Sequence, residues 1–321
     1  MPARPILTVT LNPAIDEAVS IERFALGEVN RCGLTSLDAG GKGLNASRVL
    51  RRLGRDTLAL GFVGGVTGEM IRGRLDLEGV RHAFDDVDEM TRLNVMLYDS
   101  AGGRRTRLYL PGARVEPSRL AALLARLECS QRGDVVVLGG SLPPGLGEAT
   151  YREIVTALRA RGVLAVVDAS GQALARALAA HPALIKPNVE EAGEVLGRTI
   201  AGDADALAAA LELRALGAQR VVISQGAAGA VGVDERVAWK AVPPAVEARS
   251  TVGSGDSMVA GLAIALHEGL GLDEGLRIGT AAGAGTATTP GMHLCLREDF
   301  ERLLPGVVVR ALDFPAEKAR V

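Results

Sequence analysis

The chain has 321 residues, 48% of them apolar and only 3% aromatic, and its 36 basic and 38 acidic side chains leave a net charge of −2. That length holds one large domain or two smaller ones around an aliphatic core that needs no disulfide staples. The balanced charge and scarce aromatics exclude a polycationic or base-stacking nucleic-acid binder, and no run of 18 apolar residues suggests a membrane span.

Three cysteines and four histidines are scattered without metal-ligand spacing, so no zinc site is expected. The N-terminus leads straight into an apolar strand with no signal-type segment, and a reduced, cytoplasmic protein is expected.

In chain order, Ile6–Leu11 reads as an apolar strand. Asp16–Phe24, Leu93–Tyr98 and Arg105–Leu110 are alternating or polar, with a hairpin turn at Ala101–Gly103. They predict a small, one-sided antiparallel sheet, a lid contributed by about 12–36 and 90–112 of a single domain spanning 1–321. From Asp134 onward, apolar runs alternate with helical stretches: strands at Asp134–Leu138, Val163–Val167, Ala183–Ile185 and Arg220–Ser224, and helices at Thr150–Arg161, Ala173–Ala180, Glu190–Leu196 and Ala204–Leu216. This pattern predicts an α/β fold with a mostly parallel sheet covered on both faces. Ligands bind such sheets beyond the carboxyl ends of the strands, where Asp168, Lys186, Asn188 and Ser224 fall. Gly306–Val321 carries weak signals and is expected to be partly disordered.

Four stretches can carry chemistry. Asp38–Asn45 (DAGGKGLN) precedes a helix read over Ala46–Leu53; its glycines suit an anion or sugar hydroxyls, or simply a tight strand-to-helix turn. Ser250–Met258 (STVGSGDSM) opens the apolar helix Val259–Leu266. Amides at Gly253, Ser254 and Gly255 can hold negative charge, and Asp256 can take a hydroxyl proton or merely cap the helix. Lys186–Glu191 (KPNVEE) has the spacing of a capping box, with Glu191 the alternative Mg²⁺ ligand. Ser224–Gly229 (SQGAAG) is a glycine turn that suits a nucleotide. Asp16 sits past the first strand, where it can bond sugar hydroxyls. Arg92 and Arg107 can clamp a phosphate, and Ser141 lies past a strand end.

Asn12–Asp16 (NPAID), Gly40–Asn45 (GGKGLN), Thr91–Asn94 (TRLN), Gly140–Gly145 (GSLPPG), Lys186–Asn188 (KPN) and Thr251–Ser257 (TVGSGDS) occur in the order and spacing of the ribokinase-like sugar kinases. The chain resembles their PfkB (phosphofructokinase B) group. The resemblance covers about Ile6 to Leu304. It implies a Rossmann-like ribokinase fold with a small β-sheet lid, a homodimer through the lids, and transfer of the γ-phosphoryl of ATP, as its Mg²⁺ complex, to a sugar phosphate. Carried over by position, Asp256 is the general base and Gly253, Ser254 and Gly255 the anion hole. Asp16, Gly40, Gly41, Lys42, Asn45, Arg92, Arg107 and Ser141 hold the sugar phosphate. Lys186, Asn188, Ser224, Gly226 and Gly229 face the nucleotide, and Glu191 orders Mg²⁺ through water. Many relatives also bind a monovalent cation such as K⁺, and Ser250, Val252 and Gly291 fall where its oxygen ligands would lie.

The substrate signals diverge. Val167–Leu174 (VDASGQAL), Leu110–Ala113 (LPGA) and Thr289–Cys295 (TPGMHLC) are similar to the minor-type 6-phosphofructokinases, and fructose 6-phosphate is the expected acceptor. Lys42 in GGKG, and Val29 where some 6-phosphofructokinases place a lysine, are similar instead to the 1-phosphofructokinases and tagatose-6-phosphate kinases. A non-catalytic sugar-phosphate sensor is disfavoured because Asp256 and its glycines are intact. A dehydrogenase is excluded because no G-x-G-x-x-G follows the first strand.

Overall fold

The computed structural model describes residues 4–291 and 293–314. In chain order the first half comprises β1 (Ile6–Thr10), β2 (Ala14–Ile21), β3 (Gly33–Gly40), α1 (Lys42–Arg52), β4 (Thr57–Val63), α2 (Gly65–Leu77), β5 (Arg81–Asp86), β6 (Arg92–Asp99), β7 (Arg104–Leu108), α3 (Pro117–Leu127), β8 (Val135–Gly139) and α4 (Thr150–Ala160). The second comprises β9 (Leu164–Asp168), α5 (Gly171–Leu178), β10 (Leu184–Ile185), α6 (Val189–Leu196), α7 (Gly202–Ala215), β11 (Val221–Ser224), β12 (Ala230–Val233), β13 (Ala238–Val242), α8 (Ser254–His267), α9 (Leu272–Thr288), α10 (Arg297–Leu303) and β14 (Val308–Leu312).

Ten strands form one large sheet in the order β14-β13-β12-β11-β10-β9-β8-β1-β4-β5. Its seven strands β11, β10, β9, β8, β1, β4 and β5 run parallel, while β12, β13 and β14 add an antiparallel flank. Alternate residues of the central strands enter different layers. Val136 and Leu138 pack with α3, α4, α5 and α7, whereas Val135 and Val137 pack with α1, α8 and α9. Burial on both faces explains why these strands read as unbroken apolar runs. Helix α8 is apolar all round because it lies between the sheet and α9. A Cβ on Gly261 would stand 2.6 Å from the Gly279 Cα, so glycine is what lets the two helices approach.

A second sheet, β3-β2-β6-β7, stands apart from the first. Ile15 and Ala39 anchor its base against Leu44, Ala59 and Ile71. Strand β3 runs on to Gly40, beyond the boundary at 36 expected from the sequence, and β2 pairs with β6 in parallel as well as with β3 antiparallel. The expected disorder after Gly306 is corrected in part. Val308–Leu312 pairs with β13 as the edge strand β14, while 315–321 lie outside the described residues. Among the described residues, no helix is long and apolar enough to cross a membrane.

Candidate active site

A cleft of about 350 Å³ opens between the two sheets, lined by Asp16, Asn45, Arg92, Asn94, Ser141 and Asp256 among others. A larger recess of about 570 Å³, bordered by Arg214, Gln219 and Asp234, lies toward the opposite ends of the strands, and none of the motifs above reaches it.

Asp256 stands in the first turn of α8 and is buried. Its N-cap, Gly253, has φ +80°, a left-handed conformation that glycine adopts without strain. The first amides of α8 have no helical acceptors and lie at the positive end of the helix dipole. Asn45, in the first turn of α1, donates from Nδ2 to Asp256 Oδ2 at 2.7 Å. Burial, reinforced by the negative charge of Asp168, pushes the Asp256 carboxyl up to about 6; Lys42, Asn45 and Lys186 act in the other direction. A carboxylate so tuned is a competent proton acceptor near neutral pH.

Asp168 ends β9 and is fully buried. Its Oδ1 accepts from Lys42 Nζ at 3.0 Å and lies 3.4 Å from Lys186 Nζ. Burial alone would raise this carboxyl, but Lys186 and Lys42 hold it below the usual carboxylate range. Lys42 also donates to Glu191 Oε1 at 3.1 Å. Burial disfavours the Lys42 charge, yet Asp168, Glu191 and Asp256 outweigh it and keep the amine firmly protonated. Lys42 thus gives two of its three N–H groups to carboxylates while lining the cleft. Helix α1 begins at Lys42 rather than Ala46, which is why Lys42 and Asn45 share its first turn.

On the facing wall, Asp16 of β2 pairs in register with Asn94 of β6, and Asn94 Nδ2 donates to Asp16 Oδ1 at 2.8 Å. Burial raises the Asp16 carboxyl, with Asp38 adding to the effect and Asn94 and Arg92 opposing it. A Cβ on Gly40 would fall 1.8 Å from Asp16 Oδ2, so this position admits only glycine if Asp16 is to stay where it is. Gly41, at φ +125°, turns the chain into α1. Arg92 donates to the carbonyls of Asn12 at 3.0 Å and Leu110 at 3.1 Å, which fix its guanidinium at the rim near Ser141 Oγ. Arg107 departs from its expected place. It lies on the wholly exposed β7 and is not among the residues lining the cleft.

The residues assigned to the nucleotide form a second group at the ends of β10 and β11. Asn188 bridges to Ser224. The Gln225 amide donates to the Gly229 carbonyl at 2.8 Å and closes the loop around Gly226. Lys186 joins this group to α8, since a Cβ on Gly255 would meet its Nζ at 3.3 Å. The capping box is formed: Asn188 Oδ1 accepts from the Glu191 amide at 2.7 Å, and the Asn188 amide donates to Glu191 Oε2 at 2.9 Å. Glu191 thus serves the cap with one oxygen and Lys42 with the other. Ser250 and Val252 directly precede Gly253, and Gly291 follows α9. The amides of Arg249 and Ser250 donate to the Ala287 carbonyl, which ties these two segments together.

Sequence reasoning singled out neither Asn94 nor Asn12 as a site residue, and gave Asp168 only a strand end. Asn12 Nδ2 donates to Ser141 Oγ at 3.2 Å and to the carbonyls of Pro111 and Leu142. For Asn12 and Asp168 the available signal was positional, a polar residue at the carboxyl end of an apolar strand; Asn94, near the start of β6, carries no such signal.

The buried carboxylate and the glycine-led helix meet at one cleft, and the chain matches the pfkB family of carbohydrate kinases over residues 9–299 and belongs to it. It is a sugar kinase, a phosphotransferase. It is 37% identical to a 1-phosphofructokinase of Bacillus subtilis, over 96% of this chain and all of that one. It is 35% identical to the ATP-dependent 6-phosphofructokinase isozyme 2 of Escherichia coli, over 93% of this chain and 97% of that protein. Phosphofructokinase-2 from Escherichia coli, solved in complex with potassium, superposes with a TM-score of 0.90 at 34% identity, covering 94% of this chain and 98% of that one.

Proposed function

We propose that this protein transfers the γ-phosphoryl group of ATP to fructose 6-phosphate, giving fructose 1,6-bisphosphate. The observation that carries the reading is Asp256, buried and raised to about 6 at the glycine-led start of α8, in one cleft with Asp16, Arg92 and Ser141. Asp16 and Asn45 receive the sugar hydroxyls, and Arg92 with Ser141 meets the existing phosphate. Asp256 takes the proton from the attacking hydroxyl, and the amides of Gly253, Ser254 and Gly255 hold the charge on the transferring group. Lys186, beside Gly255, adds a cation there, and Asn188, Ser224, Gly226 and Gly229 border the nucleotide.

Among the described residues no three His, Cys, Asp or Glu side chains cluster as a metal cage. Asp168 Oδ2 is buried without a hydrogen-bond partner, and both Glu191 oxygens are engaged. These residues fit a Mg²⁺ that would arrive with ATP, with Glu191 and Asp168 as the carboxylates that would hold its waters. When bound, Mg²⁺ offsets phosphate charge. A monovalent cation at Ser250, Val252 and Gly291 is part of the same proposal.

The small sheet acts as a lid, and a second copy covers it. Leu26 is 92% exposed and Val29 89% on the connection between β2 and β3, and Leu34 is 64% exposed at the start of β3, too much apolar surface in one place to leave in water. Lid closure excludes the water that would otherwise hydrolyse ATP.

Fructose 1-phosphate is the second reading, with tagatose 6-phosphate beside it. The exposed Val29 offers no cation where a lysine would reach a neighbouring subunit's sugar. Cys295 is buried against Gly285 of α9, so the late segment that favoured fructose 6-phosphate packs into the core at its end. Comparing kcat/KM for the three sugar phosphates with Mg-ATP in a coupled ADP assay tests the proposal. Preference for fructose 6-phosphate supports it, preference for another transfers it to the second reading, and no ADP from any of them overturns all three acceptors and points to a different hexose phosphate or to a non-catalytic sugar-phosphate sensor.

A further inference from the structure

The loop that the proposed function gives to the nucleotide is held from behind by a buried lysine. Lys240 lies on β13, two strands from β11, and is only 3% exposed. Its Nζ donates to Gln225 Oε1 at 2.6 Å and to Asp203 Oδ1 at 2.6 Å. Gln225 sits between Ser224 and Gly226, within the loop. Asp203 sits in the first turn of α7 and is 41% exposed. Lys240 and, more weakly, a hydrogen bond from Gln225 hold the Asp203 carboxyl below its ordinary range. The three side chains therefore close a triangle joining the loop, the start of α7 and β13. Arg310 on β14 approaches Asp203 at 3.6 Å, so the edge strand contributes as well.

A buried ammonium needs its charge and its N–H groups satisfied. Asp203 answers the charge. Gln225 answers a donor, and in doing so it cannot rotate away without leaving Lys240 short of an acceptor. Glycines at φ +58° (Gly226) and +89° (Gly229) give the loop backbone more freedom than residues with side chains would, and both its own turn hydrogen bonds and the Gln225 side chain act against that freedom. Removing that freedom before ligand arrives lowers the entropy lost on binding.

We infer that Lys240 is a positioning residue for the nucleotide, acting through Gln225 to preset the loop Ser224–Gly229. The inference rests on the proposed placement of ATP at this loop. Nothing in the triangle touches the sugar side of the cleft, so its effect falls on one substrate.

The test uses the full-length chain with ADP and Mg-ATP. Hydrogen exchange of Ser224–Gly229 with and without ADP is measured first on the wild type. Absence of protection overturns the placement of the nucleotide and the inference with it. With protection established, Gln225→Leu, which leaves the Lys240–Asp203 pair intact, is compared with the wild type and with the double variant Gln225→Leu, Lys240→Met. In the single variant, KM for ATP and Kd for ADP rise five-fold or more, while kcat and KM for the sugar phosphate stay within two-fold. The double variant, with an apolar pair in place of the polar one, recovers part of the lost ADP affinity. Unchanged ATP parameters, or equal shifts in both substrates, overturn the positioning role while leaving the proposed function in place.

Discussion

Asn45 and Asp256 meet at 2.7 Å although 211 residues separate them, and they do so from the first turns of two different helices, α1 and α8. Both helices start at glycine turns, and both present their amino ends to the same cleft. The positive ends of two helix dipoles therefore converge on the cleft, where the proposed reaction places phosphate charge.

Replacing Asp256 by Asn should lower kcat roughly 10²–10⁴-fold, the usual contribution of a positioned base. Sugar-phosphate binding, measured by calorimetry, should change little. A near-wild-type rate would remove Asp256 from the base role.

The raised carboxyl of Asp256 also predicts a pH profile. The base works deprotonated, so kcat/KM should rise through about pH 6 and level off above it. Stability runs the other way. The folded state holds this proton more tightly than the unfolded chain, so the contribution is full below the ordinary value of 3.8 and lost as pH rises through about 6. Thermal melts should show Asp256→Asn more stable than the wild type at pH 8, with the gap closing toward pH 4.

Gly40→Ala puts a methyl group into the space of the Asp16 carboxylate, which Asn94 holds in place. We expect kcat/KM for the sugar phosphate to fall roughly 10²-fold, as for a catalytic or binding group displaced by about an ångström. KM for ATP should stay within two-fold. Equal losses for both substrates would show that the site as a whole had been disturbed.

Lys42→Met leaves the buried Asp168 with Lys186 as its remaining cation. Breaking a fully buried ion pair costs about 3–5 kcal/mol, and because water reaches Lys42 and Lys186 remains, roughly 2 kcal/mol is expected here. A urea titration gives the difference, and an unchanged midpoint would contradict it.

Chelation by EDTA should abolish turnover without shifting the melting temperature of the nucleotide-free protein. No three-ligand metal cage exists among the described residues, so metal is not expected to hold the fold together. A large drop in melting temperature would point to a structural ion.

The central strands were legible because burial on both faces leaves an unbroken apolar run, as in Val135–Leu138. The capping box was legible because Asn188 and Glu191 are three residues apart on one helix turn. The strands that escaped notice are β3 of the small sheet, β12, β13 and β14 of the antiparallel flank, and β4 and β5 of the parallel sheet: Gly33–Gly40 shows no clean alternation, Arg81–Asp86 is polar and Val308–Leu312 is half exposed, whereas Thr57–Val63 carries the same buried apolar signal as the central strands and was passed over. Lys42 was recognised as a site residue, but its carboxylate partners were not identified as such. Its two carboxylates lie 126 and 149 positions away, a distance no local pattern spans. Arg107 illustrates the converse, since a plausible arginine on a lid strand can face water when every residue of that strand is exposed.

Lys42 draws together segments from near the start, the middle and beyond the middle of the chain, and Asn45 reaches further still to α8. No contiguous fragment short of residues 42–256 contains all these partners, and closing such long loops comes late in folding. Catalytic competence is therefore a report on completed folding. A nascent or truncated chain that has laid down its small sheet and first strands lacks the assembled cleft on which the proposed use of ATP depends.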